Sequence, residues 1–274
     1  MAFMGIITGN VADILYKSGF NPFNGSGFPV GIPSCFDGDT KLRMYNNTYK
    51  KIRNIKVGDI LHDDGKVNGI FELDATGVQM YKIPTTKKNS AIISGTHYIY
   101  DMDSRSFIKV QDYAKAVPIP QSEYNANKIY CILTESKTIH VGQQLFSDWD
   151  DLEVEQMTKM LKDQTDIVDS MYGGWFAFTQ VKMNDGTYKY IYDIQPGDIL
   201  DNNNRVVGVC KIEARKNYDY YVLKDQETAL SIFGGTIMYD DLKYLKDLAV
   251  KKYESTVPLL LYNLVTERGT YNID

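Results

Sequence analysis

The sequence predicts a mainly β protein in which one β module is written twice, the two copies joined by a helical linker. Three observations predict it. Strand-type runs recur about every ten residues between Gly-, Asn- and Asp-rich turns. A long stretch repeats itself at a fixed offset of 139 positions. Tyrosine is unusually abundant, 21 of 274 residues beside only 2 Trp, and tyrosine suits pleated, half-buried strands.

Taken in order, residues 1–34 read as an N-terminal arm. NPFNGSGFPVGIPS has the Gly, Pro, Asn and Ser content of loop or extended chain. Gly9 and Gly19 bracket the one helical candidate, a short piece at Val11 to Lys17. From Cys35 to residue 148 the pattern turns β. LRMYNNTYKKI reads as a hairpin with Asn46-Asn47 at its turn, because Asn tolerates positive φ. IKVGDIL, a turn at HDDGK, KVNGIFEL and AIISGTHYIY follow as further strand signals. Residues 149–173 break the pattern: Leu152, Met157, Met160, Leu161, Ile167, Val168 and Met171 recur at helical spacing behind an acidic first turn, so a linker helix is expected. Within SDWDDLE, the acidic residues Asp148, Asp150, Asp151 and Glu153 are expected to cap that helix.

Residues 174–274 repeat the first module. TKLRMYNNTYKKIRNIKVGDIL, from Thr40, returns as TQVKMNDGTYKYIYDIQPGDIL, from Thr179, with identities that include Thr48/Thr187, Tyr49/Tyr188, Gly58/Gly197 and Asp59/Asp198. With one inserted residue SGTHYIYD matches GGTIMYDD, and YCILTESKTIHV from Tyr130 matches YNLVTERGTYNI from Tyr262. The repeated Gly-Asp is a tight turn: glycine supplies a backbone conformation that a Cβ penalises, and the Asp caps the turn amides.

Composition narrows the function. With 30 Lys+Arg against 35 Asp+Glu the net charge is −5, which argues against a nucleic-acid surface, since phosphate binding needs clustered positive charge. Three cysteines build no disulfide framework, so a reducing compartment is expected. The opening MAFMGIITGNVADILYKSGF lacks a basic n-region, and nothing approaches a membrane span, so a protein without membrane contact is expected. Neither a phosphate loop nor CxxC or HExxH spacing occurs, so neither a cofactor nor a metal is expected.

The first copy carries CFDGDT at Cys35–Thr40, a GD turn some twenty residues later, and SGTH at Ser94–His97. Cysteine at the first strand, the GD turn, a T-x-x-H-type motif and a closing block like YCILTESKTIHV, in this order, resemble the hedgehog/intein (Hint) family from residue 35 to the end of the chain. The resemblance implies a horseshoe-shaped β fold in each copy and self-processing in the first. Cys35 would attack the Ser34 carbonyl in an N-to-S acyl shift, His97 would protonate the leaving nitrogen, and Ser94 would hydrogen-bond the scissile amide. Asp39 and Thr40 would organise the first strand or assist the thiol. Where inteins carry His-Asn this chain reads LFSDWDD, so the implied outcome is N-terminal cleavage rather than full splicing. The family's Asp in the last block is Cys131 here, and Ser94 stands for its usual Thr.

The second copy lacks the machinery: Gly174 replaces Cys35, Trp175 replaces Phe36 and Ile237 replaces His97. It reads as a scaffold for packing or partner contact. The element Phe146–Asp150 (FSDWD) is similar to that of Hint modules in large DNA viruses and phages, which adds a second expectation. On that reading the chain is a non-catalytic interaction protein of a virion or other assembly, meeting a protein partner or itself through the arm or the second copy. Its place would be the cytoplasm or a virion. Of the other candidates, His62 is expected to be solvated, His140 and Cys131 structural, and Cys210 a core residue aligned with Phe71.

Overall fold

The computed structural model describes residues 35–148 and 175–213, then 220–222, 231–233, 237–238, 243–244, 251–253, 260–268 and 271. The expected arm (1–34, with Ser34), the expected linker helix (149–173) and Gly174 lie outside the described residues. What is described is mainly β. It divides into two compact units, residues 35–148 belonging to one and those from 175 onward to the other.

The first unit holds β1 (Phe36–Asp37), β2 (Lys41–Arg43), β3 (Tyr49–Lys51), β4 (Ile60–Leu61), β5 (Gly65–Asp74), β6 (Met80–Pro84), β7 (Ser90–Ser94), β8 (Tyr98–Asp101), β9 (Ser106–Lys109), β10 (Val117–Pro118), β11 (Lys128–Thr134), β12 (Thr138–Val141) and β13 (Gln144–Ser147). The main antiparallel sheet runs β10-β6-β7-β1-β11-β5, with β4 folded onto β5. A second sheet runs β12-β13-β8-β9, and β2-β3 is a separate hairpin. Strand β5 alternates as period 2 requires, with Val67, Gly69, Phe71 and Leu73 inward. The core gathers Phe36, Leu42, Ile52, Leu61, Phe71, Ile93, Ile99 and Phe146.

The predicted hairpin is present: Asn47 takes φ 63°, and the Asn46 carboxamide accepts from the Thr48 amide at 3.1 Å. AIISGTHYIY, read as a single strand signal, is two strands in two different sheets, β7 and β8. The chain breaks at Gly95, where a Cβ would stand 2.5 Å from the Tyr81 ring, so only glycine lets this turn press against β6.

The second unit holds β14 (Trp175–Phe176), β15 (Gln180–Lys182), β16 (Tyr188–Tyr190), β17 (Ile199–Leu200), β18 (Asn204–Glu213), β19 (Tyr220–Val222), β20 (Ser231–Phe233), β21 (Ile237–Met238), β22 (Lys243–Tyr244), β23 (Lys251–Tyr253) and β24 (Leu260–Thr266). Its sheet order is β18-β24-β14-β20-β19-β23, with β17 on β18. The sequence repeat is a structural repeat. Phe36 pairs with Tyr130 and Ile93; Trp175 pairs with Tyr262 and Ile232. The register slips between Leu133 and Thr134 in one unit and opposite Val265 and Thr266 in the other. Gly58 and Gly197 stand at φ +91° and +98°, and each donates its amide 2.8 Å to the carbonyl of Val67 or Val206. Asp59 accepts from the Lys56 amide at 2.7 Å and pairs with Lys50; Asp198 accepts from the Gln195 amide at 3.0 Å and pairs with Lys189.

One face differs between the copies. In the first, the exposed Asp39 carboxylate holds Lys51 and Arg53, each at 2.8 Å. The same positions in the second copy are Phe178, Tyr190 and Tyr192, three exposed rings in mutual contact.

Candidate functional site

The candidate site is built around the start of β1. That strand is two residues long and is gripped from both sides, by β7 and by β11, so Cys35 is held although little regular structure adjoins it. The Cys35 amide donates to Ser94 Oγ at 2.9 Å, and the Ser94 amide donates back to the Cys35 carbonyl at 2.9 Å. Both residues are buried. The N–H that meets the Ser94 hydroxyl belongs to the peptide bond that precedes Cys35, the bond the acyl shift would break.

Ser94 ends β7, and the turn that follows delivers His97. The His97 amide donates to the Ser94 carbonyl at 3.2 Å, the Val110 amide to the His97 carbonyl at 2.7 Å, and the Gly95 amide to the Gln79 carbonyl at 3.0 Å. The turn is therefore clamped by backbone bonds to the residue before β6 and to the segment after β9. His97 is fully buried. Its Nε2 donates to the Ser147 carbonyl at 2.9 Å, which places a proton on Nε2. Phe36 meets the imidazole edge-on at 4.8 Å between centroids and Phe146 at 5.8 Å, while the two phenyl rings meet each other at 5.2 Å. This cage sets the ring orientation in a dry environment, where polar interactions are stronger than in water.

The supporting residues fall in two places. Thr40 is buried; its amide donates to the Asp37 carbonyl and its carbonyl accepts from the Ile52 amide at 2.8 Å, while its hydroxyl has no hydrogen-bond partner among the described residues. Asp39 points outward into its Lys51 and Arg53 pairs, whose positive charge, led by the Lys51 bond, holds its carboxyl below the usual carboxylate range. These pairs tie the turn after β1 to β3 and to the short 3-10 turn that follows. Ser34 falls outside the described residues.

Several contacts at the site carry no signal in the sequence. Phe146 and the Ser147 carbonyl reach His97 from about 50 positions away, and a backbone carbonyl leaves no mark on a sequence pattern. Asp37 accepts from the Tyr124 phenol at 3.0 Å and from the Asp39 amide at 2.8 Å. Burial pushes the Tyr124 phenol upward, and the charge of Asp37 pushes it further, with the nearby Cys35 thiol adding to the effect. Asp148, expected to cap a helix, is buried with its carboxylate on the Thr134 amide at 3.0 Å, where it closes the last hairpin. His140 Nδ1 lies 2.6 Å from the buried carboxylate of Asp64, which also accepts the His140 amide, so His140 ties the last hairpin to the turn after β4. His62 pairs with Asp63 at the surface. Cys131 and Cys210 are buried, and burial holds the Cys210 thiol well above its ordinary value.

In the second unit Trp175 fills the place of Phe36 and centres a core of Val181, Met183, Ile191, Leu200 and Leu264. Ile237 opens β21 at the position of His97. No cluster of three or more His, Cys, Asp or Glu side chains fit for a metal occurs among the described residues, and no helix among them is long and apolar enough to cross a membrane. Against known proteins, no family model and no curated sequence matches the chain.

Proposed function

We propose that the first unit is a Hint-type self-processing module acting on the bond between Ser34 and Cys35. The observation that carries the reading is the 2.9 Å hydrogen bond from the Cys35 amide to Ser94 Oγ, with His97 delivered by the same turn. In the reaction the Cys35 thiol proton passes to His97 Nδ1 as Sγ forms a bond to the Ser34 carbonyl carbon, the C–N bond breaks, and the nitrogen leaves as an amine carrying that proton from Nδ1. Ser94 Oγ accepts from the scissile N–H and fixes its orientation, and the aromatic cage keeps water from the imidazole. Water or a thiol then attacks the thioester carbonyl, Cys35 leaves as a thiol, and residues 1–34 are released.

The test is the intact mass of full-length wild type and Cys35→Ala, incubated with and without a small thiol. Wild type is expected to yield the fragment from Cys35 onward, faster with thiol, and to cleave at the thioester with hydroxylamine; Cys35→Ala is expected to stay whole. A single mass of 31.2 kDa for wild type under every condition overturns the reading.

A second reading has its own support. The unit beginning at Trp175 has neither nucleophile nor proton donor at the matching positions, yet keeps a buried core among its described residues and an exposed aromatic face. On this reading the chain is an interaction protein of a virion or another assembly, reusing the Hint-like scaffold without turnover. A wild type that stays whole in the mass assay leaves this reading in place.

A further inference from the structure

The two copies provide an internal control for what their surfaces do. Backbone bonds around the relevant turn are the same in each: the Ile52 amide donates to the Thr40 carbonyl and the Ile191 amide to the Thr179 carbonyl, both at 2.8 Å, and the next residue donates to the carbonyl of Gly38 or Ala177, both at 3.3 Å. On this shared frame the first copy places Asp39, Lys51 and Arg53, which satisfy one another as ion pairs. The second places Phe178, Tyr190 and Tyr192. Tyr190 and Tyr192 stack with a 13° interplanar angle at 5.9 Å, and Phe178 stands edge-on to both at 5.6 and 5.7 Å. The fold does not require rings here, since the copy with charges has the same backbone bonds. These rings also stay in water: Phe178 is 71% exposed and the two tyrosines 39% each.

The aromatic surface extends to Tyr188, on the same strand face as Tyr190. At about 200 Å² for a whole aromatic residue, these four leave on the order of 400 Å² of exposed residue surface. That is about half of one side of a standard protein interface, the right size for the apolar centre of a weak, reversible one. Its flanks balance in charge: Asp193 lies beside Tyr192, and the Lys211 ammonium sits 5.8 Å over the ring of Tyr262, itself half-buried next to Tyr192. A patch that is aromatic at the centre and neutral at the rim complements itself, as a two-fold interface demands.

We infer that Phe178, Tyr190 and Tyr192 form a self-association surface whose occupant is the same face of a second copy of this chain. The inference is independent of the acyl-shift chemistry and gives the interaction reading a surface. The first copy supplies the test, because its triad already fits this backbone: Phe178→Asp, Tyr190→Lys and Tyr192→Arg together graft it onto the second. The native face (wild type below) and the graft would both be compared in the Cys35→Ala background, which keeps the chain whole, by sedimentation velocity and light scattering from about 1 to about 200 μM. Wild type is expected to move from 31.2 kDa toward twice that mass with a midpoint on the order of 10 μM, and the graft to stay monomeric with an unchanged circular dichroism spectrum. Phe178→Asp alone, at the most exposed ring, is expected to weaken association at least tenfold, and it serves if the triple variant misfolds. A wild type that is monomeric throughout, or a graft that associates as wild type does, overturns the inference. The intact-mass assay on the graft with Cys35 retained separates this outcome from the cleavage reading, because the graft itself leaves the Cys35 site untouched.

Discussion

Replacing Ser94 with alanine removes the side-chain acceptor that the described residues give the Cys35 amide, while the return bond from the Ser94 amide to the Cys35 carbonyl survives. Alanine fits the space and keeps the strand register, so the perturbation is local. A buried N–H that loses its acceptor costs about 1–3 kcal/mol, and both residues are buried, so solvent does not make up the loss. Amide exchange at Cys35 should therefore quicken by about 5- to 150-fold, read by hydrogen–deuterium exchange on peptides that span β1 and β7. The urea midpoint of the first unit should fall in step. Ser90→Ala, at the exposed far end of β7, is the control and should move neither quantity. The same change tests the chemistry: a scissile amide without its positioning partner should be cleaved about 10- to 100-fold more slowly. Exchange at Cys35 and a urea midpoint both matching the Ser90→Ala control would refute the argument that this hydrogen bond holds the amide.

Two further predictions concern the units' internal chemistry. Gly58→Ala and Gly197→Ala add a methyl group at φ +91° and +98° with nothing within 4 Å, so each cost is backbone strain alone, about 1–2 kcal/mol; thermal melts should show similar losses for both, and a loss at only one would break the equivalence of the two turns. Tyr124 is an acid whose folded form is held neutral by burial and by Asp37, so its contribution is complete below its ordinary pKa of 10.0 and is lost as the pH rises above it. Tyr124→Phe should cost about 1–2 kcal/mol at neutral pH through the lost bond to Asp37, yet its urea midpoint should decline less than that of wild type between about pH 9 and 11; an equal decline refutes the assignment.

Local chemistry is legible in the residues themselves. Asn47 and the Gly-Asp turns announce themselves because a positive φ admits few residue types, and the alternation of β5 announces itself because strand side chains have period 2. The repeat is legible because the same local requirements recur at one spacing. AIISGTHYIY misleads for a related reason: β propensity is continuous across it, while the break at Gly95 comes from the ring of Tyr81, a neighbour brought there by sheet pairing. Asp148 carries a contact its sequence neighbours do not announce, because its carboxylate meets an amide 14 positions earlier.

The sequence by itself determined the β class, the doubled module, the tight turns and the loss of Cys and His from the second copy, because each depends on residue type at a position. The resemblance read from the sequence implied that Ser94 meets the Cys35 amide, and the fold puts the two 2.9 Å apart; tertiary structure alone decided that Phe146 and the Ser147 carbonyl orient His97, and that Phe178, Tyr190 and Tyr192 converge where Asp39, Lys51 and Arg53 do in the first copy. Those contacts join residues up to 59 positions apart, and only the register of paired strands brings such residues within bonding distance.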